Sequence, residues 1–312
     1  MVDKCIVCGS DTSVAHSFKG SFIRSALTKY FRETPGPGVP IPDVEILKCT
    51  QCSLEFCKGM QPGDNIFYDW ITKQAGYYPE FRWEWASVLK IFAEAAEDRE
   101  IQILDVGCGG GTFLKLAREI PNVKVVGVDM TSQSVEDCKA AGLDVVCGDI
   151  EEFHRQRPED RFDFVVSFHC IEHVSDPVSL TREMASLLAD NGALLVSAPL
   201  SPMSFETIWF DPLNFPPHHL SRWSVAALEK LGQQVNLTAE INSNPAGSNR
   251  SRASRALALS KIGPSATRPQ TWACSILNPM EFIKEFGRQK ARPQLNGVSL
   301  GNTFLAVFRV AA

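Results

Sequence analysis

The sequence predicts an α/β fold built on a parallel sheet, and three observations carry that expectation. From residue 101 onward, short apolar runs alternate with segments of helical periodicity. A glycine-rich turn, Gly107-Cys108-Gly109-Gly110-Gly111, stands where the first of those runs hands over to the segment after it. An acidic residue, Asp129, closes the next run, about 20 residues beyond Gly107, the distance at which a carboxylate can reach ribose hydroxyls.

The elements follow in order. Ile101–Val106 reads as a buried strand, Thr112–Ile120 as a helix, Val123–Val128 as a strand, Ser132–Ala141 as a helix and Leu143–Val146 as a strand. Phe162–Phe168 is then a strand, Pro177–Leu188 a helix and Ala193–Ala198 a strand. Val225–Leu231 reads as a helix, Leu237–Ile241 as a strand and Thr303–Val310 as the closing strand. Short strands separated by helices imply parallel pairing with right-handed crossovers. Ahead of this unit, Phe81, Trp85, Val88, Leu89 and Phe92 share one face of a helix, after an aromatic stretch with Phe67, Tyr68, Trp70, Tyr77 and Tyr78. The chain divides into a leader, residues 1–60, an aromatic cap and leading helix, residues 61–97, and the α/β unit, residues 98–312, with an insertion around 243–292.

Of ten cysteines, four form two Cys-x-x-Cys pairs, Cys5/Cys8 and Cys49/Cys52. Four thiolates suffice for a closed tetrahedral site, so structural Zn2+ in a reducing compartment is expected, with a folding and not a catalytic role. The wide gap between the pairs holds a Pro/Gly-rich insert, residues 35–42, which cannot be helix or central strand. Cys57 is a spare thiol, and Cys108, Cys138, Cys147, Cys170 and Cys274 read as small buried residues. The N-terminus is polar, and no apolar run approaches the roughly 18 residues of a membrane span, so a cytoplasmic protein without a membrane partner is expected. A net charge of -5 argues against nucleic acid as the general partner.

Leu104-Asp105-Val106-Gly107-Cys108-Gly109-Gly110-Gly111-Thr112 departs from the dinucleotide fingerprint, which wants glycine or alanine where Thr112 stands. It resembles instead the first motif of class I S-adenosylmethionine-dependent methyltransferases, an acidic residue followed by Gly-x-Gly-x-Gly. The resemblance extends through Cys147-Gly148-Asp149-Ile150, Phe162-Asp163-Phe164-Val165-Val166-Ser167 and Leu187-Leu188-Ala189-Asp190-Asn191-Gly192, over roughly residues 80–235. It implies a Rossmann-like, doubly wound seven-stranded sheet whose edge is an antiparallel hairpin ending in Thr303–Val310. It also implies that S-adenosylmethionine lies along Asp105, Gly107, Cys108, Gly109, Asp129, Met130, Asp149, Ile150, Ser167 and Phe168. Asp129 would take the ribose, Asp149 the adenine amino group and Ile150 the base, with Tyr77 and Tyr78 as a cover. The leader resembles the zinc-ribbon modules that precede some methyltransferases acting on sugars and natural products.

Within that family, Ile171-Glu172-His173 and Pro217-His218-His219-Leu220 resemble the small-molecule branch that includes the ubiquinone-type O-methyltransferases. The expected acceptor is thus an oxygen of a sugar, nucleotide-sugar or natural product. His169, His173, His218 and His219 are the candidate bases, because they lie in the segments expected to flank the acceptor. His169, Glu172 and His173 could instead ligate a divalent cation. Residues 250–292 carry nine Lys/Arg against Glu281 and Glu285. They read either as a solvated loop or as a clamp in which some of Arg250, Arg252, Arg255, Lys261 and Arg268 hold an anionic acceptor. RNA methylation, or cofactor binding without turnover, are the alternatives.

Overall fold

The structure, a computed structural model, describes residues 3–75, 77, 81–206, 209–244, 247–292, 294–295 and 298–310. The leader opens with β1 (Thr12–Phe18), α1 (Gly20–Phe31), β2 (Val44–Cys49) and β3 (Glu55–Cys57), followed by α2 (Asn65–Ile71) and α3 (Trp83–Ala95). The α/β unit then runs β4 (Ile101–Val106), α4 (Thr112–Ala117), β5 (Val123–Asp129), α5 (Ser132–Ala140), β6 (Asp144–Cys147), α6 (Ile150–Gln156), β7 (Phe162–Phe168), α7 (Pro177–Ser186) and β8 (Leu188–Pro199). After it come β9 (Ser221–Arg222), α8 (Val225–Gln234), β10 (Leu237–Ser243), α9 (Asn249–Lys261), α10 (Arg268–Leu277), α11 (Pro279–Lys290), β11 (Gln294–Leu295), β12 (Val298–Ser299) and β13 (Thr303–Val310).

The central sheet has seven strands in the order β10-β13-β8-β7-β4-β5-β6. Strands β4 to β8 pair in parallel, and β13 runs antiparallel to both β8 and β10. Alternation along the strands builds two cores, because successive side chains point to opposite faces. Ile103, Val166, Leu195 and Leu305 pack with Trp85, Val88 and Phe92 of α3 on one face. Leu104, Val165, Leu194 and Ala306 pack with Phe153, Met184 and Leu228 on the other. The expected Phe81 contact is not made: Phe81 precedes α3 and is 63% exposed. Cys147, expected to be buried, is exposed.

The second core does not stop at the α/β unit. Cys5, Val7, Leu47 and Phe56 of the leader belong to the same apolar cluster. The leader sheet, ordered β1-β2-β3-β9, takes its last strand from the segment after β8. Phe56 pairs with Ser221 and Glu55 with Arg222. Arg222 donates to Glu55 at 2.7 Å and lies 2.7 Å from Glu206, all three side chains being buried.

Residues 250–292 are not a loop. They fold into α9, α10 and α11, each begun by proline or by a capping side chain: Ser248 accepts from Ser251 N–H, Thr267 and Gln270 form a capping box, and Pro279 opens α11. Basic side chains serve this bundle. Arg255 donates to the Pro264 and Ala266 carbonyls, Lys261 pairs with Glu281, and Arg250 covers Trp272. Arg252 is 5% exposed and donates to Asn249 and the Gln289 carbonyl. Of the five residues read as a clamp, only Arg268, exposed at the start of α10, is without such a contact among those described. Among the described residues, no helix is long and apolar enough to cross a membrane.

Candidate active site

In open α/β sheets ligands bind beyond the C-terminal ends of the parallel strands, and the residues singled out by sequence gather there. Between β4 and α4, Gly107, Gly109 and Gly111 have φ of 78°, 52° and 71°, values that residues with a Cβ adopt at a cost. A Cβ on Gly111 would stand 2.6 Å from Leu143 Cδ1 and 2.8 Å from Cys138 Sγ, so packing also requires glycine there. At Gly109 and Gly110 a Cβ would meet nothing within 4 Å, so the turn opens onto free space.

Asp129 ends β5 beside that turn. Its Oδ2 accepts from the Gly109 N–H at 2.8 Å and its Oδ1 from the Thr131 N–H at 2.8 Å. Each carboxylate oxygen keeps lone-pair capacity for a further donor, so the residues fit a ligand carrying adjacent hydroxyls. Met130 follows with its side chain exposed. Asp105 and Cys108 are buried under the turn, and burial, reinforced by the Asp129 charge, pushes the Asp105 carboxyl up to about 8. Ser167 Oγ donates to the Val106 carbonyl at 3.0 Å, and the Phe168 ring lies 4.6 Å from that of Phe113. Asp149 caps α6 through the Glu152 N–H at 2.7 Å, while Ile150 is buried in the core. The Tyr77 hydroxyl lies 2.9 Å from His218 Nε2. Tyr78 lies outside the described residues.

The segment after β7 links this turn to a second cluster. Cys170 Sγ would stand 3.3 Å from a Cβ on Gly107. Two residues on, Glu172 is 1% exposed, and neither of its carboxylate oxygens accepts a hydrogen bond from any described residue. His169, His173 and His219 face it, and His218 packs against the last two. His169 Nδ1 lies 3.3 Å from Glu172 and its Nε2 lies 3.3 Å from Glu84. Burial disfavours the His169 cation, but Glu172 and Glu84 outweigh it and raise its pKa above the usual value. His219 Nε2 is 4.0 Å from Glu172.

The rings of His173, His218 and His219 have centroids 4.4 to 4.7 Å apart. Burial lowers the pKa of His173, and burial with neighbouring imidazoles lowers His218 and His219 further, so all three are neutral near pH 7. His173 Nδ1–H donates to the His218 carbonyl, His218 Nδ1–H to the Leu213 carbonyl and His219 Nδ1–H to Asn214 Oδ1, each at 2.8 Å. The Asn214 amide is oriented by its own donation to Glu206 at 3.1 Å. Glu84 and Asn214 had not been singled out by sequence. Glu84 had a readable signal, since it sits four residues before Val88 on the buried face of α3. Asn214 had none.

In the leader, the Sγ atoms of Cys5, Cys8, Cys49 and Cys52 all lie within 4.8 Å of one another. The Cys5–Cys52, Cys8–Cys52 and Cys8–Cys49 separations are 3.7, 3.7 and 3.5 Å. A tetrahedron with Zn–S bonds of about 2.3 Å has edges of about 3.8 Å, so the four thiols fit a metal ion of that size. Cys57 is buried outside this group.

A family model described as a methyltransferase domain matches residues 80–240, just over half of the chain. The chain belongs to the methyltransferase-domain family. Its sheet is that of the class I S-adenosylmethionine-dependent methyltransferase fold, with a seventh strand antiparallel to its neighbours. The chain is 31% identical over 109 residues to a ubiquinone biosynthesis O-methyltransferase of Neisseria meningitidis, covering 33% of this chain and 45% of that protein. It is 33% identical over 115 residues to an ajmaline N-methyltransferase of Rauvolfia serpentina, covering 34% and 39%. The chain thus spans less than half the length of these curated relatives. A solved S-adenosylmethionine-dependent methyltransferase from Archaeoglobus fulgidus superposes with a TM-score of 0.48 at 17% identity, over 72% of this chain and 91% of that one.

Proposed function

We propose that the protein transfers a methyl group from S-adenosylmethionine to an oxygen of a small molecule, of the sugar, nucleotide-sugar or natural-product kind. One observation carries the reading: an open glycine turn with Asp129 stands beside a buried histidine–glutamate cluster, and Cys170 abuts the turn two residues before Glu172. When bound, the cofactor supplies a methyl group activated on a sulfonium. Asp129 would accept from the ribose hydroxyls, and the backbone of Gly107, Cys108 and Gly109 would approach the amino-acid portion. Met130 and Ile150 would flank the adenine, Asp149 would accept from its amino group, and Ser167 and Phe168 would border the methyl group. Asp105 would hold the turn from below.

On the acceptor side, three neutral imidazoles offer unprotonated nitrogens in a buried cluster, which is what ionising a hydroxyl requires. His169, braced between two carboxylates, would orient Glu172, while Tyr77 closes over His218. Aligning donor and acceptor would supply most of the acceleration. We further propose that residues 1–60 form a leader stabilised by Zn2+ on Cys5, Cys8, Cys49 and Cys52, that residues 61–97 cap the site, and that residues 98–312 form the catalytic unit. The O-methyltransferase relatives favour oxygen as the acceptor atom, and the N-methyltransferase makes nitrogen the second reading.

Isothermal titration with S-adenosylhomocysteine tests the donor half. Asp129→Ala should weaken binding by about 1.5–3 kcal/mol, the worth of hydrogen bonds to a charged group; unchanged affinity removes Asp129 from the site. Release of S-adenosylhomocysteine in the presence of pooled phenolic and sugar acceptors tests the transfer.

A further inference from the structure

We propose that His173, His218 and His219 form a second metal site, a three-imidazole seat for a divalent transition cation of the zinc class, with Glu172 as its counter-charge. One ligand atom from each of the three histidines lies within 4.8 Å of the others. Such a site needs three imidazoles whose lone pairs converge and whose opposite nitrogens are held. Here each Nδ1–H is already committed to an oxygen at 2.8 Å: two backbone carbonyls and the Asn214 amide. That arrangement fixes the tautomer, leaving the lone pair on Nε2 of each ring. Two of the three rings, His218 and His219, are buried, and His173 is partly exposed, which gives an ion a way in.

Glu172 is the independent sign. Glu172 is buried with His169 as its one close partner, 3.3 Å from Oε1, and its Oε2 has no hydrogen-bond donor among the described residues, a costly arrangement that a further cation would relieve. His219 Nε2 stands 4.0 Å from that same oxygen, Oε1, and that nitrogen carries a lone pair and not a proton. A cation seated on the three Nε2 atoms would answer both groups. The ligand set differs from the His169, Glu172 and His173 grouping expected from sequence, because His169 is held between Glu84 and Glu172. Tyr77, whose hydroxyl lies 2.9 Å from His218 Nε2, must yield that bond when the ion enters.

Three protein ligands leave a fourth position open, as catalytic and not structural sites do. An acceptor oxygen entering it would be held in its ionised form, its proton passing to water, and the ion in place of a free imidazole would then ionise the hydroxyl. That use rests on the methyl-transfer reading; the site itself does not.

The test therefore measures metal without acceptor or donor. Full-length protein is stripped with chelator, reloaded with Co2+ under reducing conditions and read by visible absorption and metal analysis. Two equivalents are expected. One gives the intense sulfur-to-metal bands of the four-thiol cluster, the other the weaker ligand-field bands of a nitrogen–oxygen site. His173→Gln and His219→Gln should each remove the second set and one equivalent, leaving the thiolate bands and the S-adenosylhomocysteine affinity in place. Zinc-edge X-ray absorption on the wild-type protein requires no variant to fold, and should show mixed nitrogen and sulfur shells. One equivalent with a sulfur-only shell in wild type, or two equivalents kept in both variants, overturns the site.

Discussion

The Asp105 carboxyl is buried beneath the glycine turn with a second carboxylate, Asp129, close by, and its pKa is raised from 3.8 to about 8. Between those values the folded protein holds a proton that the unfolded chain releases, so this residue's contribution to stability falls as pH rises from about 4 to about 8. Asp105→Asn should remove that dependence. Urea unfolding of the ligand-free protein at pH 5, 6.5 and 8 should show the variant gaining on wild type by up to about 1.4 kcal/mol per pH unit, and a constant difference would mean that Asp105 is ionised in the fold. At this scale the sequence was most legible where chemistry and backbone coincide. Gly107, Gly109, Gly111 and Asp129 could be singled out because a strand-to-helix turn with positive φ leaves few alternatives. The histidines could be named but not arranged. Their grouping depends on Leu213, Asn214 and the His218 carbonyl, groups that carry no motif.

The elements of the α/β unit were readable because their strands are apolar on both faces and their helices are amphipathic; Phe162–Phe168 and Thr303–Val310 fall at the expected bounds. The α9 to α11 bundle was not. Helix α9 buries Arg252, Ala253, Ser254, Ala256, Leu257, Ala258 and Leu259 between its two partners, so small and polar residues occupy its inner side and no apolar stripe stands out. Helix α1 was missed for a related reason, since Gly20, Ile23 and Leu27 are its only fully buried residues. The cysteine knuckles, in contrast, are written in the spacing of their own residues. Four crowded thiols cannot all ionise without a cation between them, so metal and fold should be lost together. Cys5→Ser or Cys49→Ser should remove one zinc per chain and expose the leader to limited proteolysis. Full zinc retention in both variants, by metal analysis of protein prepared without chelator, would remove the four-thiol assignment.

For the whole molecule, seven strands with an antiparallel pair at one edge were expected from the family motifs, but the union of leader and α/β unit was not. It rests on β9, two residues long, and on a buried charge cluster whose members are far apart in sequence: Glu55, Glu206 and Arg222. Removing the cation from such a cluster strands two buried carboxylates. Arg222→Ala should thus destabilise the protein by about 3–5 kcal/mol, seen as a lower urea midpoint. A change below about 1 kcal/mol, the worth of an exposed pair, would mean the cluster is hydrated and the leader held by apolar contact alone. The same pairing sets an order of events during synthesis. Glu55 leaves the ribosome 167 residues ahead of Arg222, an interval of roughly ten to thirty seconds at ordinary elongation rates. Through that interval the cysteine knuckles are present while their sheet still lacks its fourth strand. The leader sheet is begun long before the strand that completes it is made, so its four thiols stay more open to oxidation until Ser221 and Arg222 arrive.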